Sequence, residues 1–283
     1  MARGAAANEE QRRHWNEEAG PVWARRQAEM DRVLEPYGLL ALEAAGIAPG
    51  ASVLDVGCGC GATTLELARR AGPGGRVLGI DLSEPMLARA RERAAAAGAG
   101  GVRFELADAQ EHPFEPGTFD RVYSRFGVMF FEDPVRAFAN LRRGLRPDGS
   151  LCFVCWQGLE RNAWLQVPLR ALAPIVALPP PPPPGAPGPL SLGDEGRLRR
   201  LLGAAGFARV AVEGRELPFA TGTGVRETAA FFLEVGPVAR VLREQPEAPR
   251  DRMEEALAAA LAPFETGRGV ELPSAVFVVR AQP

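Results

Sequence analysis

The chain has 283 residues, of which 46% are hydrophobic and 24% are charged, and its formal net charge is -2. These proportions are typical of a globular domain and exclude a disordered or collagen-like chain. The near-zero net charge supplies no basic field, so neither nucleic acid nor an anionic membrane is an expected partner.

Helical spacing dominates the amino-terminal part of the chain. Between His14 and Ala45, apolar side chains recur at the three- and four-residue intervals that form a stripe along a helix. Proline removes a backbone N–H and interrupts helices, so two helices separated near Pro36 are predicted. We expect them to form an N-terminal helical cap, residues 1–38.

Short β-rich runs and helical segments alternate after the cap. Strands are predicted at Val53–Val56, Arg76–Ile80, Val102–Leu106, Asp120–Ser124 and Leu151–Trp156, and helices at Ala62–Arg70, Ser83–Ala97 and Pro134–Leu145. Strands that alternate with helices along a chain form parallel sheets with helices on both faces. The core, residues 39–157, is therefore predicted to be a doubly wound α/β sheet.

The composition changes in residues 158–193, where Pro179–Pro184 are six consecutive prolines. Such a run is stiff where it adopts the polyproline II conformation, so a surface insertion is predicted. Two alternatives stay open for it. It is either a linker without functional weight or a lid over the active site, because long loops in compact domains are often lids.

Residues 194–283 are predicted to complete the sheet and to add helices on the substrate side. The predicted elements are a helix at Asp194–Ala205, a strand at Ala208–Glu213, helical runs at Gly224–Leu242 and Arg250–Leu261, and a strand at Ala275–Val279. The whole chain is thus predicted to be an α/β protein with a mostly parallel, seven-stranded sheet.

Two features indicate a cytoplasmic protein. Glu9 and Glu10 occupy the place where a signal peptide needs its apolar stretch. No run approaches the roughly 18 consecutive apolar residues of a membrane span.

The four cysteines form one CxC and one CxxC pair, spacings that also occur in zinc sites. Cys58 and Cys60 lie in a glycine loop. Cys152 and Cys155 lie in a predicted strand, where positions three apart point to opposite faces. Small buried thiols in a reducing compartment, with no metal, are therefore predicted.

The first predicted strand ends in a glycine loop, Gly57-Cys-Gly-Cys-Gly61, that leads directly into a helix. Such a loop lets a ligand approach the backbone and presents helix N–H groups to it. Gly57, Gly59 and Ala62 also satisfy the G-x-G-x-x-G/A pattern of dinucleotide sites, so a nicotinamide-dependent enzyme is an alternative interpretation. Asp55 argues against it, because a carboxylate before the loop repels a pyrophosphate but accepts hydrogen bonds from an ammonium group.

Five segments, in this order, resemble the motifs of class I S-adenosylmethionine-dependent methyltransferases. They are Val53–Gly61, Gly79–Ser83 with Met86, Ala107–Ala109, Phe119–Arg125 and Leu145–Leu151. The resemblance covers about residues 39–156 and is closest to the small-molecule branch that includes the ubiquinone and menaquinone C-methyltransferases. It implies a Rossmann-like methyltransferase fold, S-adenosylmethionine as the cofactor, and methyl transfer to an oxygen, nitrogen or activated carbon atom of a small molecule.

The resemblance also implies cofactor contacts at the ends of the first four strands. The implied residues are Asp55, Gly57, Cys58, Gly59, Gly61, Asp81, Leu82, Met86, Asp108, Ala109 and Ser124. Asp81 is expected to accept the ribose hydroxyls, which its place at the tip of the second strand also supports. Asp108 is expected to bind the adenine amino group, and Leu82 and Met86 to flank the ring.

An acceptor pocket is expected to be aromatic, because aromatic faces suit a sulfonium and exclude water. The residues considered for its walls are Trp15, Trp23, Arg125, Phe126, Phe130 and Trp156. His14, His112 and Arg125 are the candidates for a catalytic role, Arg125 by pairing with an acceptor carboxylate. Ser124–Met129 replaces the histidine-bearing segment of the quinone enzymes, so no quinone acceptor is assigned.

Three functions are carried forward from the sequence: a small-molecule methyltransferase, a nicotinamide-dependent oxidoreductase, and a non-catalytic module that binds S-adenosylmethionine. The Asn/Asp-Pro-Pro-Tyr signature of nucleobase and glutamine methylation does not follow the fourth strand. A small-molecule acceptor is therefore favoured. Monomer and homodimer remain equal alternatives for the oligomeric state.

Overall fold

The computed structural model describes residues 8–245 and 247–283; the first seven residues of the predicted cap lie outside the described part. The helices are α1 (Glu9–Arg13), α2 (Ala19–Arg25), α3 (Gln27–Ala45), α4 (Ala62–Ala71), α5 (Glu84–Ala96), α6 (Pro134–Gly144), α7 (Ala163–Leu172), α8 (Glu195–Ala204), α9 (Val225–Glu234), α10 (Pro237–Glu244) and α11 (Arg250–Leu261). The strands are β1 (Ser52–Val56), β2 (Arg76–Asp81), β3 (Val102–Leu106), β4 (Phe119–Arg125), β5 (Leu145–Trp156), β6 (Arg209–Ala220), β7 (Glu265–Thr266) and β8 (Gly269–Gln282).

The sheet has the order β3-β2-β1-β4-β5-β8-β6, and the short β7 pairs with β8 beside this path. The strands from β3 to β5 are parallel, whereas β8 runs antiparallel to both β5 and β6. The prediction of a mostly parallel, seven-stranded sheet is confirmed for the described residues. The order of the strands along the sheet reverses between β1 and β4, and open α/β sheets bind their ligands at such a point.

Alternating side chains of the central strands pack against helices on both faces of the sheet. On one face, the Tyr123 hydroxyl donates to the Gly38 carbonyl of α3 at 3.0 Å, and the Cys152 thiol lies 3.2 Å from the Ala41 carbonyl. On the other face, Phe153 stacks on Phe138 of α6, with ring centroids 5.6 Å apart. Helices α3 and α6 therefore cover the two faces of β4 and β5.

The predicted helix break at Pro36 is wrong. Helix α3 runs from Gln27 to Ala45 with Pro36 inside it, and the cap helices separate instead at Arg26. A proline removes only its own N–H, whereas the buried side chains on both sides of it, among them Leu34 and Tyr37, hold the helix against the sheet. Helix α3 also continues through residue 38, where the predicted cap ends.

Two further predictions near the carboxyl end need correction. The predicted helical run Gly224–Leu242 is two helices, because Gly236 has a φ of 82° and Pro237 begins a new helix. Strands β6 and β8 are much longer than the predicted Ala208–Glu213 and Ala275–Val279, and they pair from Arg209 to Ala220 of β6. Strand β6 contains Pro218, which an edge strand tolerates.

The insertion after β5 contains helix α7, which the sequence did not predict and which buries Trp164, Leu165 and Leu172. Pro179–Pro184 are exposed and adopt neither helix nor strand. The segment after them is fastened to the core, since the Ser191 hydroxyl and the Gly188 N–H both donate to the Met129 carbonyl, at 2.6 and 3.0 Å. In the described ranges, no helix is long and apolar enough to cross a membrane.

Candidate active site

An open cavity lies at the carboxyl ends of β1, β2, β3 and β4. Its volume, with the solvent at its mouth, is about 990 Å³. The predicted residues on its wall are Trp15, Trp23, Gly57, Cys58, Gly59, Asp81, Leu82, Met86, Asp108, Ala109, Arg125, Phe126 and Phe130. They meet there because strand ends that are far apart in the sequence are neighbours in a parallel sheet.

The glycine loop forms the floor of the cavity, and its backbone packs against the backbone of Gly127. The N–H groups of Gly57 and Cys58 both donate to the Ile80 carbonyl of β2, at 2.9 and 3.1 Å. Gly57 has a φ of 68°, and a Cβ atom on it would lie 2.7 Å from the Cα of Gly127. A Cβ atom on Gly127 would lie 2.6 Å from the Val56 carbonyl oxygen. The two backbones can approach this closely because neither Gly57 nor Gly127 carries a Cβ atom.

Asp81 is held by backbone groups at the tip of β2. Its Oδ2 accepts the Gly59 N–H at 2.8 Å and its Oδ1 accepts the Ser83 N–H at 2.9 Å. Burial raises the pKa of the Asp81 carboxyl, and these backbone donors oppose the rise. Each carboxylate oxygen keeps a lone pair, so Asp81 can accept two further hydrogen bonds from a ligand.

Asp108, directly after β3, lies at another side of the same cavity. Its Oδ1 accepts the Gln110 N–H at 2.9 Å, and its Oδ2 accepts a hydrogen bond from the side-chain amide of Asn8. The guanidinium of Arg12 lies 3.7 Å from the same Oδ2. The amino-terminal segment therefore covers the residue that the sequence assigns to the adenine amino group.

The cap is fastened to the loop between β2 and α5. The Asn16 side chain donates to the Leu82 carbonyl at 2.8 Å and accepts the Glu84 N–H at 3.0 Å. The Ser83 hydroxyl donates to the Trp15 carbonyl at 2.7 Å. Trp15 and Asn16 belong to a π-helical turn, His14–Glu18, a geometry that is frequent at functional sites.

Aromatic rings form the upper wall of the cavity. Trp15 makes edge-to-face contacts with Trp23 and Phe130, at centroid distances of 5.6 and 5.1 Å. Phe126 has a φ of 63°, unusual for a residue with a side chain, and its ring stacks on Trp156 at 4.4 Å. Trp156 therefore supports the wall from behind and does not line the cavity.

Arg125 carries the one cationic side chain among the described residues that line the cavity. Its guanidinium lies 3.9 Å from Asp31 of α3, which is held in turn by Arg93 at 2.8 Å and by the Gln27 side chain. Arg125 has a neighbouring acid, and it also faces the space that an acceptor would occupy.

Several predicted residues lie behind the wall or away from it. Asp55, Gly61 and Ser124 do not line the cavity: the Ser124 hydroxyl donates to the Val56 carbonyl at 2.7 Å, and Gly61 lies against Ala90 and Phe104. Neither histidine lines the cavity: Nδ1 of His14 lies 2.9 Å from Glu18, and Nδ1 of His112 lies 3.5 Å from Glu105.

Other wall residues were not named from the sequence. One set lies on the inner face of α3, namely Gln27, Met30, Asp31 and Leu34. Their spacing of three, four and seven residues marks one helical face, and two polar residues on such a face were a detectable signal. The sequence carried no comparable local signal for Asn8 or Gly127, because each acts through a segment remote in the chain.

Asp55 is fully buried, and its Oδ2 accepts the hydroxyls of Thr63 and Thr64, both at 2.7 Å. Burial raises its pKa from 3.8 to about 6, although these hydroxyls and Arg125 oppose the rise. The protonated form is thus favoured in the folded chain. The stability that this group contributes is complete below pH 3.8 and is lost as the pH rises through 6.

Asp55→Asn is therefore expected to flatten the pH dependence of stability. Between about pH 3.5 and 7, the free energy of unfolding of the wild type should fall by about 3 kcal/mol more than that of the variant. Urea unfolding of both proteins across this range measures the difference. Parallel curves would contradict the assignment of this titration to Asp55.

The cysteines do not form a common cluster with other metal-binding side chains. Cys58 and Cys60 line the cavity, whereas the thiols of Cys152 and Cys155 approach the carbonyls of Ala41 and Leu192. In the part of the chain that the structure describes, no group of three or more His, Cys, Asp or Glu residues could hold a metal ion. Burial raises the pKa of all four thiols, which keeps them protonated.

Residues 53–149 match a family model described as a methyltransferase domain. The match covers less than half of the chain, and we call the matched residues 53–149 the methyltransferase domain. It contains the glycine loop, Asp81, Asp108 and Arg125, so most of the cavity floor belongs to the methyltransferase domain, whereas the cap and α3 lie outside it.

Relatives of the methyltransferase domain include enzymes with named activities. Nocamycin O-methyltransferase from Saccharothrix syringae is 37% identical over 183 residues, 60% of this chain and 62% of that protein. Demethylmenaquinone methyltransferase from Bacillus cytotoxicus is 38% identical over 105 residues, 37% of this chain and 44% of that protein. The chain thus covers less than two thirds of the length of either relative.

A solved S-adenosylmethionine-dependent methyltransferase from Aquifex aeolicus superposes with a TM-score of 0.51 at 23% identity, over 70% of this chain and 91% of that chain. This likeness concerns the fold. It confirms the prediction of a Rossmann-like methyltransferase fold.

Proposed function

We propose that the chain is an S-adenosylmethionine-dependent methyltransferase that acts on a small molecule. The observation that carries the proposal is Asp81 on the cavity wall, a carboxylate that accepts the backbone N–H groups of Gly59 and Ser83 and keeps lone pairs for ribose hydroxyls. The other two wall carboxylates, Asp31 and Asp108, lie beside Arg93 and Arg12. The methyltransferase domain and its named relatives support the same function.

The residues present fit this cofactor. The glycine loop on the floor of the cavity is a cradle that side chains would fill. Asp81 would bind the ribose hydroxyls through its free lone pairs. Asp108 and Ala109 would bind the adenine edge, and Leu82 and Met86 would pack against its faces.

When bound, the cofactor supplies an activated methyl group together with its leaving group. The task of the chain is to align the acceptor and to exclude water. Trp15, Trp23 and Phe130 provide aromatic faces for positive charge and close the cavity on the cap side. No covalent bond between the acceptor and the protein is needed.

We infer further that the acceptor carries an acidic hydroxyl group, such as an enol or a phenol. Neither histidine reaches the described cavity wall, so an acceptor that is ionised before it binds fits the site best. Arg125 would then hold the acceptor oxyanion beside the methyl group. The likeness to an O-methyltransferase supports oxygen as the methylated atom.

A thermal-melt comparison tests the cofactor assignment. S-adenosylhomocysteine at about 100 times its dissociation constant should stabilise the protein by about 2.7 kcal/mol and raise the melting temperature by roughly 5 °C or more. NADH at the same concentration should leave the melt unchanged. A shift with NADH alone would contradict the proposal. If the protein bound S-adenosylhomocysteine but formed none from S-adenosylmethionine with any of a panel of acidic acceptors, the non-catalytic module would be favoured.

The remaining features stay predictions. The low net charge disfavours nucleic acid as a partner, and a cytoplasmic location stays a prediction. Residues 158–193 remain a candidate lid, supported by the contact of Ser191 with Met129, directly before the cavity residue Phe130.

A further inference from the structure

Asn8 is a polar residue of the cap that lines the cavity although it is only 6% exposed. Its side-chain N–H donates to Oδ2 of Asp108. Its carbonyl oxygen, Oδ1, is buried and accepts no hydrogen bond from the described residues. Buried acceptors in native proteins are nearly always paired, so an unpaired one on a cavity wall indicates a ligand donor.

Asp108 adds a second acceptor at the same place. Its Oδ1 accepts the Gln110 N–H, whereas among the described residues its Oδ2 accepts a hydrogen bond from Asn8 alone and keeps a lone pair, with Arg12 at 3.7 Å. Two adjacent acceptors, one from Asn8 and one from Asp108, therefore meet at the cavity wall. A primary amino group on a ring offers two hydrogens and satisfies both. A ring carbonyl offers only lone pairs, which both acceptors repel.

We propose that Asn8 and Asp108 together bind the exocyclic amino group of adenine, so that the amino-terminal segment is part of the cofactor site. The proposal rests on S-adenosylmethionine as the cofactor and assigns to Asn8 a role in selecting adenine over hypoxanthine. Asn8 lies outside the methyltransferase domain, which spans residues 53–149. The specificity for the base is thus completed by the cap.

Calorimetric titration of the full chain with two probes tests the proposal. The probes are S-adenosylhomocysteine and S-inosylhomocysteine, in which a ring carbonyl replaces the amino group. The wild type should prefer the adenosyl probe by about 100-fold. Asn8→Ala should bind the adenosyl probe about tenfold more weakly, the value of one buried hydrogen bond, and should lose the same factor of preference.

Gln11→Ala is the matched control. Gln11 lies on α1, the helix that Asn8 directly precedes, and its buried side-chain oxygen also has no partner among the described residues, but Gln11 does not line the cavity. Its variant should keep both affinities within about twofold of the wild type. Melts of both variants without ligand establish that the cap and core remain folded.

Each outcome decides the proposal. A selective loss of preference in Asn8→Ala supports it. An unchanged preference in Asn8→Ala overturns it and leaves the proposed methyltransferase function intact. Equal losses in Asn8→Ala and Gln11→Ala overturn it as well, because they indicate a general loosening of the cap. Failure of the wild type to bind the adenosyl probe overturns the proposed function and this inference with it.

Discussion

Replacing Gly127 by alanine is expected to destabilise the protein by about 3 kcal/mol, the upper range for an overpacked interior position. The new Cβ atom would lie 2.6 Å from the Val56 carbonyl oxygen and 2.8 Å from the Cα of Gly57. Both neighbours are backbone atoms, so no side chain can turn away to relieve the clash. The melting temperature should fall by roughly 6–12 °C. Binding of S-adenosylhomocysteine should weaken more than tenfold, because Gly57 begins the glycine loop.

Gly203→Ala is the matched control for this substitution. Gly203 lies in α8, and no atom lies within 4 Å of the Cβ that alanine would add. Alanine favours helix over glycine, so this variant should gain about 0.5–1 kcal/mol and bind S-adenosylhomocysteine normally. A wild-type melt for Gly127→Ala would show that the two backbones separate easily and would overturn this account of the floor.

Replacing Asp81 by asparagine is expected to weaken the binding of S-adenosylhomocysteine by about 100-fold or more. The carboxylate accepts the N–H groups of Gly59 and Ser83. The side-chain NH₂ of asparagine would replace one of the two oxygens and face one of these N–H groups, donor against donor. The proposed ribose hydroxyls would lose a charged acceptor as well, at about 1.5–3 kcal/mol for each hydrogen bond. Calorimetry measures the loss directly, and melts without ligand separate it from unfolding.

Asp120→Asn provides the comparison. Asp120 also accepts a backbone N–H, from Ser52 at 2.8 Å, but at the start of β4 and therefore at the opposite edge of the sheet. This variant should lose stability through its bonds to Ser52 and Arg146 and keep its affinity for S-adenosylhomocysteine. If Asp81→Asn bound the same ligand within about threefold of the wild type, the proposed ribose contact would be wrong.

The sequence predicted those parts of the site that follow directly from a strand. Asp81 and Asp108 come immediately after predicted strands, and the glycine loop follows β1, so sheet topology alone brings them together. The fold was predictable for the same reason, since the alternation of strands and helices determines a parallel sheet. The boundaries of α3 and β6 were not predictable, because burial keeps α3 helical across Pro36 and pairing with β8 extends β6 beyond Glu213.

Residues whose role depends on a distant segment could not be predicted. Gly127 matters because its backbone meets that of Gly57, and nothing near Gly127 in the sequence indicates this approach. The helical pattern placed Trp15 and Trp23 in the cap but could not show which way His14 turns. In the structure His14 turns to Glu18, four residues along the same segment.

The bonds between Asn16 and the backbone of Leu82 and Glu84 also bear on the order of events in a turnover. Leu82 lines the open cavity, so these bonds hold the cap beside any molecule that packs against Leu82. In the proposed function, loosening of the cap would speed the departure of the spent cofactor. We expect the dwell time of that cofactor, rather than the speed of methyl transfer, to limit the turnover rate.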